Sequence, residues 1–230
     1  MGDDHAYPEE RPAHRVTVAD FEMDVHQVTV AQFAAFVAAT GHTTTAERDG
    51  ASMVFVAPDG PTDLTRPDSW WCYAEAVSWR DDPTPDHPVV HVSLPDALAY
   101  ARWADRRLPC EAEWERAANA GPLPATWPLA GDGRLLANVW IGEFPHEHRR
   151  PRRPGPMPVG AFDPNPLGLY DLLGNVCEWT ADGVIKGGSF LCAPNYCSRY
   201  RPSARQARPG GEPACHIGLR CVSNHERTHR

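Results

Sequence analysis

Gly187-Gly188-Ser189-Phe190-Leu191-Cys192-Ala193-Pro194-Asn195-Tyr196-Cys197-Ser198-Arg199-Tyr200-Arg201 is the passage on which the reading of this chain turns. It sets two cysteines around a Pro-Asn pair inside an aromatic and arginine-rich frame. In a continuous strand, side chains alternate between faces, so Cys192 and Cys197 would point to opposite sides. Pro194-Asn195 favours a reversal instead, and a turned chain brings both sulfurs to one point. Such a pair suits Cu(I) or zinc, or closes a short disulfide. The plain alternative is two buried apolar cysteines. A structural zinc would want a second C-x-x-C half, which is missing. Gly187-Gly188 is no phosphate loop, because neither a helix start nor a lysine follows it.

Upstream of this passage the periodicities predict a few short elements. Arg15-Val16-Thr17-Val18 alternates as an early strand would. Thr29 with Gln32 forms a capping-box pattern, Val30, Phe33, Ala34 and Val37 share a face, and Gly41 supplies the stop, which together predict a helix. Ser93-Leu94-Pro95-Asp96 opens a second helix running towards Arg106, with Ala97, Tyr100 and Ala101 inward. A third runs from Glu111 to Asn119 with Trp114, Ala117 and Ala118 on its apolar side, an acidic first turn, and Cys110 at the cap position. Residues 66–88 hold Trp70, Trp71 and Trp79 among prolines and acids and read as a long loop over the core, a candidate groove wall or simple aromatic packing. After Gly121 the patterns fade into short apolar runs between Gly, Pro, Asn and Asp.

The composition narrows the function classes. With 230 residues the chain buries a substantial core, and its 24 prolines and 18 glycines point to a loop-rich fold over a helical bundle. A formal charge of −8 argues against nucleic-acid binding, and the basic run His148-Arg149-Arg150-Pro151-Arg152-Arg153-Pro154 reads as a solvated loop. No apolar stretch of about 18 residues could span a membrane, and Met1-Gly2-Asp3-Asp4-His5 lacks the parts of a secretion signal. Seven cysteines is an odd count, which fits reduced thiols and a cytoplasmic protein, Cys215 and Cys221 included. His87 and His91 read as structural hydrogen bonders, and residues 224–230 as a frayed tail.

Further landmarks carry a resemblance over nearly the whole chain. They are Pro12-Ala13-His14-Arg15-Val16-Thr17-Val18, Val28-Thr29-Val30-Ala31-Gln32-Phe33, Asp86-His87-Pro88-Val89-Val90-His91-Val92-Ser93, Arg107-Leu108-Pro109, Glu111-Ala112-Glu113-Trp114-Glu115, Ala137-Asn138-Val139-Trp140, Gly168-Leu169-Tyr170-Asp171, Gly174-Asn175-Val176, Glu178-Trp179-Thr180 and His216-Ile217-Gly218-Leu219-Arg220-Cys221. With the paired cysteines they resemble the formylglycine-generating enzymes, also called sulfatase-modifying factors. The resemblance implies a C-type-lectin-like α/β (α+β) domain over 1–230 with long calcium-ordered loops and little regular structure, its core spanning about 11–224 between short tails. A monomer is the default. It also implies an oxidoreductase that turns a cysteine in a C-x-P-x-R segment of an unfolded sulfatase into Cα-formylglycine, using O2 and a thiol reductant.

In that family Cu(I) is held by the thiolates matching Cys192 and Cys197, with room for the substrate sulfur. Ser189 and Tyr196 match the lining of the oxygen and copper pocket, and Trp70, Trp71 and His216 match the peptide groove. The resemblance implies one calcium at Asp171, Glu178 and the carbonyls of Gly174 and Val176, a hard-oxygen set. Asn138 and the carbonyl of Val139 match half of a second calcium site. Its acidic remainder is replaced by Pro145-His146-Glu147-His148-Arg149-Arg150, so only Glu147 could complete it. Cys177 stands where the family usually has tryptophan, Cys110 replaces a capping threonine, and residues 182–186 and the tryptophan loop are shortened. Two other readings compete. An iron-dependent sulfoxide synthase would need an H-x-x-x-H-x-E cluster that the eleven histidines do not form. A non-catalytic, lectin-like ligand-binding module of the same fold would bind no Cu(I).

Overall fold

The computed structural model describes residues 1–121 and 127–224; the expected tail beyond Asn224 lies outside them. Thr29 ends an extended run and starts a helix. Its hydroxyl accepts from the Gln32 N–H at 3.2 Å while Gln32 Oε1 accepts from the Thr29 N–H at 2.8 Å, satisfying two otherwise free donors. The resulting helix, α1 (Val30–Thr40), buries Val30, Phe33 and Phe36 and stops on Gly41 at φ 68°, a left-handed position that glycine takes without strain. The same reciprocal cap starts α2 (Thr45–Asp49) at Thr44 and α3 (Leu94–Trp103) at Ser93. No hydroxyl caps α4 (Glu111–Ala118). There the Glu113 carboxylate accepts from the Cys110 N–H at 2.8 Å and from both terminal nitrogens of Arg107 at 2.7 Å.

The strands are short and come from distant parts of the chain. β1 (Phe21–Met23) pairs antiparallel with β8 (Val222–Asn224), and β2 (Ala51–Phe55) with β3 (Trp71–Glu75). A four-stranded mixed sheet has the order β6 (Gln206–Ala207), β5 (Val184–Lys186), β4 (Cys177–Trp179), β7 (Ile217–Leu219), with only β4 and β7 parallel. This is the mixed α/β architecture with few helices and long loops that the sequence implies. Among the described residues no helix is long and apolar enough to cross a membrane.

Three expectations change. Residues 15–18 form no strand: Val16 is exposed, and the ladder with β8 begins only at Phe21. α3 stops at Trp103, short of Arg106, because Asp105 turns the backbone to φ 55°. The segment 66–88 is not all loop; Trp71 to Glu75 pair residue for residue with Phe55 to Ala51, as alternating aromatic side chains favour.

Burial divides into three apolar clusters. The largest packs Phe33, Trp79, Val89, Tyr100, Leu108, Trp179, Ile217 and Leu219 between the helices and the sheet. A second joins Trp70, Trp140 and Phe144 to Phe190, Leu191 and Ala193, giving the cysteine passage a rigid apolar bed. The third surrounds Trp114 with Leu169 and Leu172. His87 and His91 serve as expected, through Nδ1 contacts to Asp82 Oδ2 at 2.6 Å and Ser52 Oγ at 2.7 Å.

Candidate active site

The double glycine is a steric requirement of the site. Gly187 has φ 88°, and a Cβ there would meet Leu172 O at 2.5 Å. Gly188 has φ 66°, and a Cβ there would lie 2.8 Å from Tyr200 N and 2.9 Å from Cys192 Sγ. Only glycine combines that backbone with that proximity. The chain then turns: the Cys192 N–H donates to Ser189 O at 2.9 Å, and Ala193 O accepts from Tyr196 N at 3.0 Å and Cys197 N at 2.7 Å. Asn195 pins the reversal to residue 144, its amide bonding both Phe144 N and Phe144 O. The outcome is the convergence the sequence suggests, with Cys192 Sγ 3.3 Å from Cys197 Sγ and neither cysteine in a disulfide.

The two thiols divide their acidity. Cys192 is pushed well up, first by its hydrogen bond to Cys197 and then by burial. Cys197 is brought down to about 7, first by that same bond, with help from the Arg199 backbone N–H and the Arg199 and Arg201 guanidinium groups. The shared proton therefore favours Cys192, and Cys197 is the sulfur that ionises more readily.

A cavity of ≈ 310 Å³ opens over the pair. Ser189 and Cys177 line it, with Tyr196 stacked on Phe144 (centroids 4.6 Å, 8°) and Trp71 against His216 (centroids 4.9 Å). Trp70 is not in the wall. It is 1 % exposed and stands edge-on behind Tyr196 and Phe144, 5.5 Å from each. Ser189 is buried, its Oγ accepting from the Leu191 N–H at 3.2 Å. Burial pushes the Cys177 thiol up, so it stays protonated. Burial also brings His216 down to about 3, and its Nδ1 has no partner among the described residues.

Two parts of the wall were not visible in the sequence. The N-terminal segment contributes Tyr7, whose Oη accepts from Ser198 N at 3.2 Å. Glu9 pairs with Arg199 at 2.6 Å, and Glu10, almost fully buried, with Arg201 at 2.5 Å. Tyr7 also lies under the Arg199 guanidinium at 4.5 Å. The only signal was charge complementarity across 191 residues. The second part is Arg208, beyond β6.

On the opposite face of β4, Glu178 is fully buried. It accepts from Trp114 Nε1 at 2.7 Å and pairs with Arg220 at 2.9 Å. Gln27 Nε2 donates to Asp171 O at 3.2 Å, Val176 O at 2.9 Å and Glu178 Oε1 at 3.1 Å. Three oxygens thus converge on an amide with two hydrogens, a donor set suited to a hard cation. Gly174 closes the loop at φ 90°, where a Cβ would strike Asn138 O at 2.7 Å. Asp171 adds a carboxyl raised by burial, its Oδ2 accepting from the Gly160 N–H. The half-site at Asn138 and Val139 fits a cation poorly. Asn138 Oδ1 accepts from Arg150 Nη1 at 2.8 Å, and Glu147 pairs with Arg149. The basic run read as a solvated loop therefore sends Arg150 inward, where burial lowers its pKa. Among the described residues no three His, Cys, Asp or Glu side chains form a metal cluster.

Comparison with known proteins places these features in a family. The profile of the "Sulfatase-modifying factor enzyme 1-like domain" matches residues 1–225. The Formylglycine-generating enzyme of Mycobacterium tuberculosis is 42% identical over 97% of this chain and 94% of its own length. The mouse "Inactive C-alpha-formylglycine-generating enzyme 2" is 35% identical over 94% of this chain and 79% of its own. Among solved structures, PvdO from Pseudomonas aeruginosa superposes with a TM-score of 0.68 at 26% identity, covering 96% of this chain and 89% of that one.

Proposed function

This chain belongs to the sulfatase-modifying factor family, and on that premise we propose that it converts a cysteine of a sulfatase C-x-P-x-R segment to Cα-formylglycine with Cu(I) and O2. Membership alone does not carry the activity, since the family includes a chain named inactive. The observation that carries it is the pair of sulfurs 3.3 Å apart under a peptide-sized opening. Two soft sulfurs at one point, one of them with a lowered pKa, match the donor preference of Cu(I). When bound there, Cu(I) supplies binding of O2 and one-electron chemistry next to the substrate thiol.

The remaining roles fall to the chain. Cys197 offers the thiolate, and the proton held on Cys192 leaves as a metal replaces it. Trp71, His216 and Tyr196 present flat faces to an extended segment, and Ser189 places a hydroxyl beside the reacting sulfur. The substrate loses two protons, one from Cβ and one from its thiol, and two electrons. The C=S group formed is hydrolysed by water to C=O and sulfide. O2 takes those two electrons and two more from a thiol reductant and leaves as water. Calcium at Asp171, Gly174, Val176 and Glu178 is proposed as a structural ion; Asp171 O, Val176 O and Glu178 Oε1 converge there, and the ion would displace the Gln27 amide and share Glu178 with Arg220.

The test is an anaerobic Cu(I) titration of the wild type, Cys192→Ala and Cys197→Ala, followed by air, reductant and a C-T-P-S-R peptide read by mass spectrometry. One-to-one copper binding lost in both variants, with the peptide mass falling by the difference between CH2SH and CHO, is the expected result. Copper binding by the wild type without conversion would sink the oxidase, and no binding at all would return the chain to a ligand-binding module. A melting temperature unmoved by calcium against a chelator would remove the structural ion.

A further inference from the structure

Four arginines crowd the cysteine passage, and three are answered by carboxylates of the chain itself. Arg199 pairs with Glu9, Arg201 with Glu10, and Arg205 with Glu111. Arg208 differs. Its guanidinium lines the thiol cavity and has neither an ion pair nor a hydrogen-bonded partner among the described residues, and its Nε is buried. His216, on the same wall, also has a buried Nδ1 with no partner among the described residues. A buried guanidinium nitrogen with no acceptor is costly, and native structures rarely leave buried polar atoms unmatched unless water or a ligand completes them. The backbone of Arg208 is held, its N–H reaching Gly183 O and its O accepting from Gly211 N, so the side chain is presented from a fixed point beside the sheet.

We infer that Arg208 is a specificity residue which receives a carboxylate of the incoming segment, so that this chain prefers a substrate with an aspartate or glutamate close to the reacting cysteine. The inference rests on the reading of the cavity as a peptide-oxidising site. A carboxylate fits better than a neutral carbonyl, since guanidinium and carboxylate meet through two parallel charge-assisted hydrogen bonds.

Two measurements test it, and the first is independent of the oxidase reading. In metal-free reduced protein, alkylation of Cys197 is timed with iodoacetate and with iodoacetamide, reagents of one shape that differ by a carboxylate. Their rate ratio cancels thiolate reactivity. Arg208→Gln is expected to lower the iodoacetate-to-iodoacetamide ratio about tenfold, with Arg208→Lys keeping most of it and added salt shrinking the difference. The second scans aspartate through the positions flanking C-T-P-S-R. At least one acidic peptide is expected to show a KM about tenfold below the parent, with kcat similar and the advantage lost in Arg208→Gln. An unchanged alkylation ratio in Arg208→Gln overturns the inference, as does a peptide series whose ranking Arg208→Gln leaves intact. If no peptide is oxidised but the ratio falls, the oxidase reading has failed while Arg208 stands as a carboxylate receptor. Unchanged melting temperatures in both variants exclude misfolding.

Discussion

The two faces of β4 are one residue apart in sequence and opposite in how far the chain answers its own polar groups. On one face Glu178 meets Trp114, Gln27 and Arg220, and Asn175 bonds Gln27, Asn138 and the backbone of Met157. On the other, Cys177 looks into a cavity where His216 Nδ1 and Arg208 Nε have no partner among the described residues. Strand alternation makes this possible, because successive side chains leave β4 in opposite directions. The filled face holds the loop rigid. The unfilled face can be left unsatisfied because the filled one supplies the stability, and its open valences mark where another molecule is to bind.

The sharpest way to break this contrast is to empty the filled face. Glu178→Ala leaves the fully buried Arg220 guanidinium without its carboxylate. The expected cost is about 3–5 kcal/mol, read as a fall in the urea midpoint at unchanged m-value. Cys177→Ala, one residue away on the unfilled face, removes a single buried sulfur and is expected to cost about 1–2 kcal/mol. Equal losses would mean that the two faces do not differ as described.

A smaller effect sharpens the contrast from the unfilled side. Gly188→Ala forces a left-handed alanine, worth about 1–2 kcal/mol, and drives its Cβ towards Cys192 Sγ. Gly41→Ala imposes the same backbone at φ 68° with nothing within 4 Å. Gly188→Ala should lose more stability than Gly41→Ala, because its Cβ would also meet Tyr200 N at 2.8 Å, and only Gly188→Ala should lose Cu(I) affinity. Retained affinity would show that the glycine does not position the sulfur.

Legibility follows the same division. The caps at Thr29 and Ser93 and the stop at Gly41 were readable because each depends on residues within a few positions. The cysteine turn was readable too, since Pro194-Asn195 and the glycine pair act locally. Trp70 was placed in the groove with Trp71 because adjacent residues look alike in sequence, yet Trp70, just before β3, is buried in the bed while Trp71, at its start, reaches the wall. Tyr7 and Arg208 reach the site only through the tertiary fold, and neither lies in a periodic pattern. Arg150 was read as solvated because a Pro-interrupted basic run gives no sign that one guanidinium turns inward to Asn138.

Acid is the gentlest probe, and it acts on His216 of the unanswered wall together with the buried His91. His91 and His216 are buried and neutral, brought down by burial to about 4 and about 3. An unfolded histidine titrates near 6.5, so below that pH the unfolded state binds protons that the folded state refuses, and stability falls as pH drops. The contribution is intact above about 6.5 and is lost progressively down to the folded values, reaching on the order of 1–2 kcal/mol per histidine at pH 5. Urea midpoints compared at pH 7 and pH 5 should therefore drop in the wild type. His91→Gln keeps a donor for Ser52 without a titrating ring and should remove about half of that drop. His216→Gln should remove the other half, and with it the flat face against Trp71, so peptide affinity falls as well. A pH response unchanged by either substitution would assign the acid sensitivity to carboxylates elsewhere.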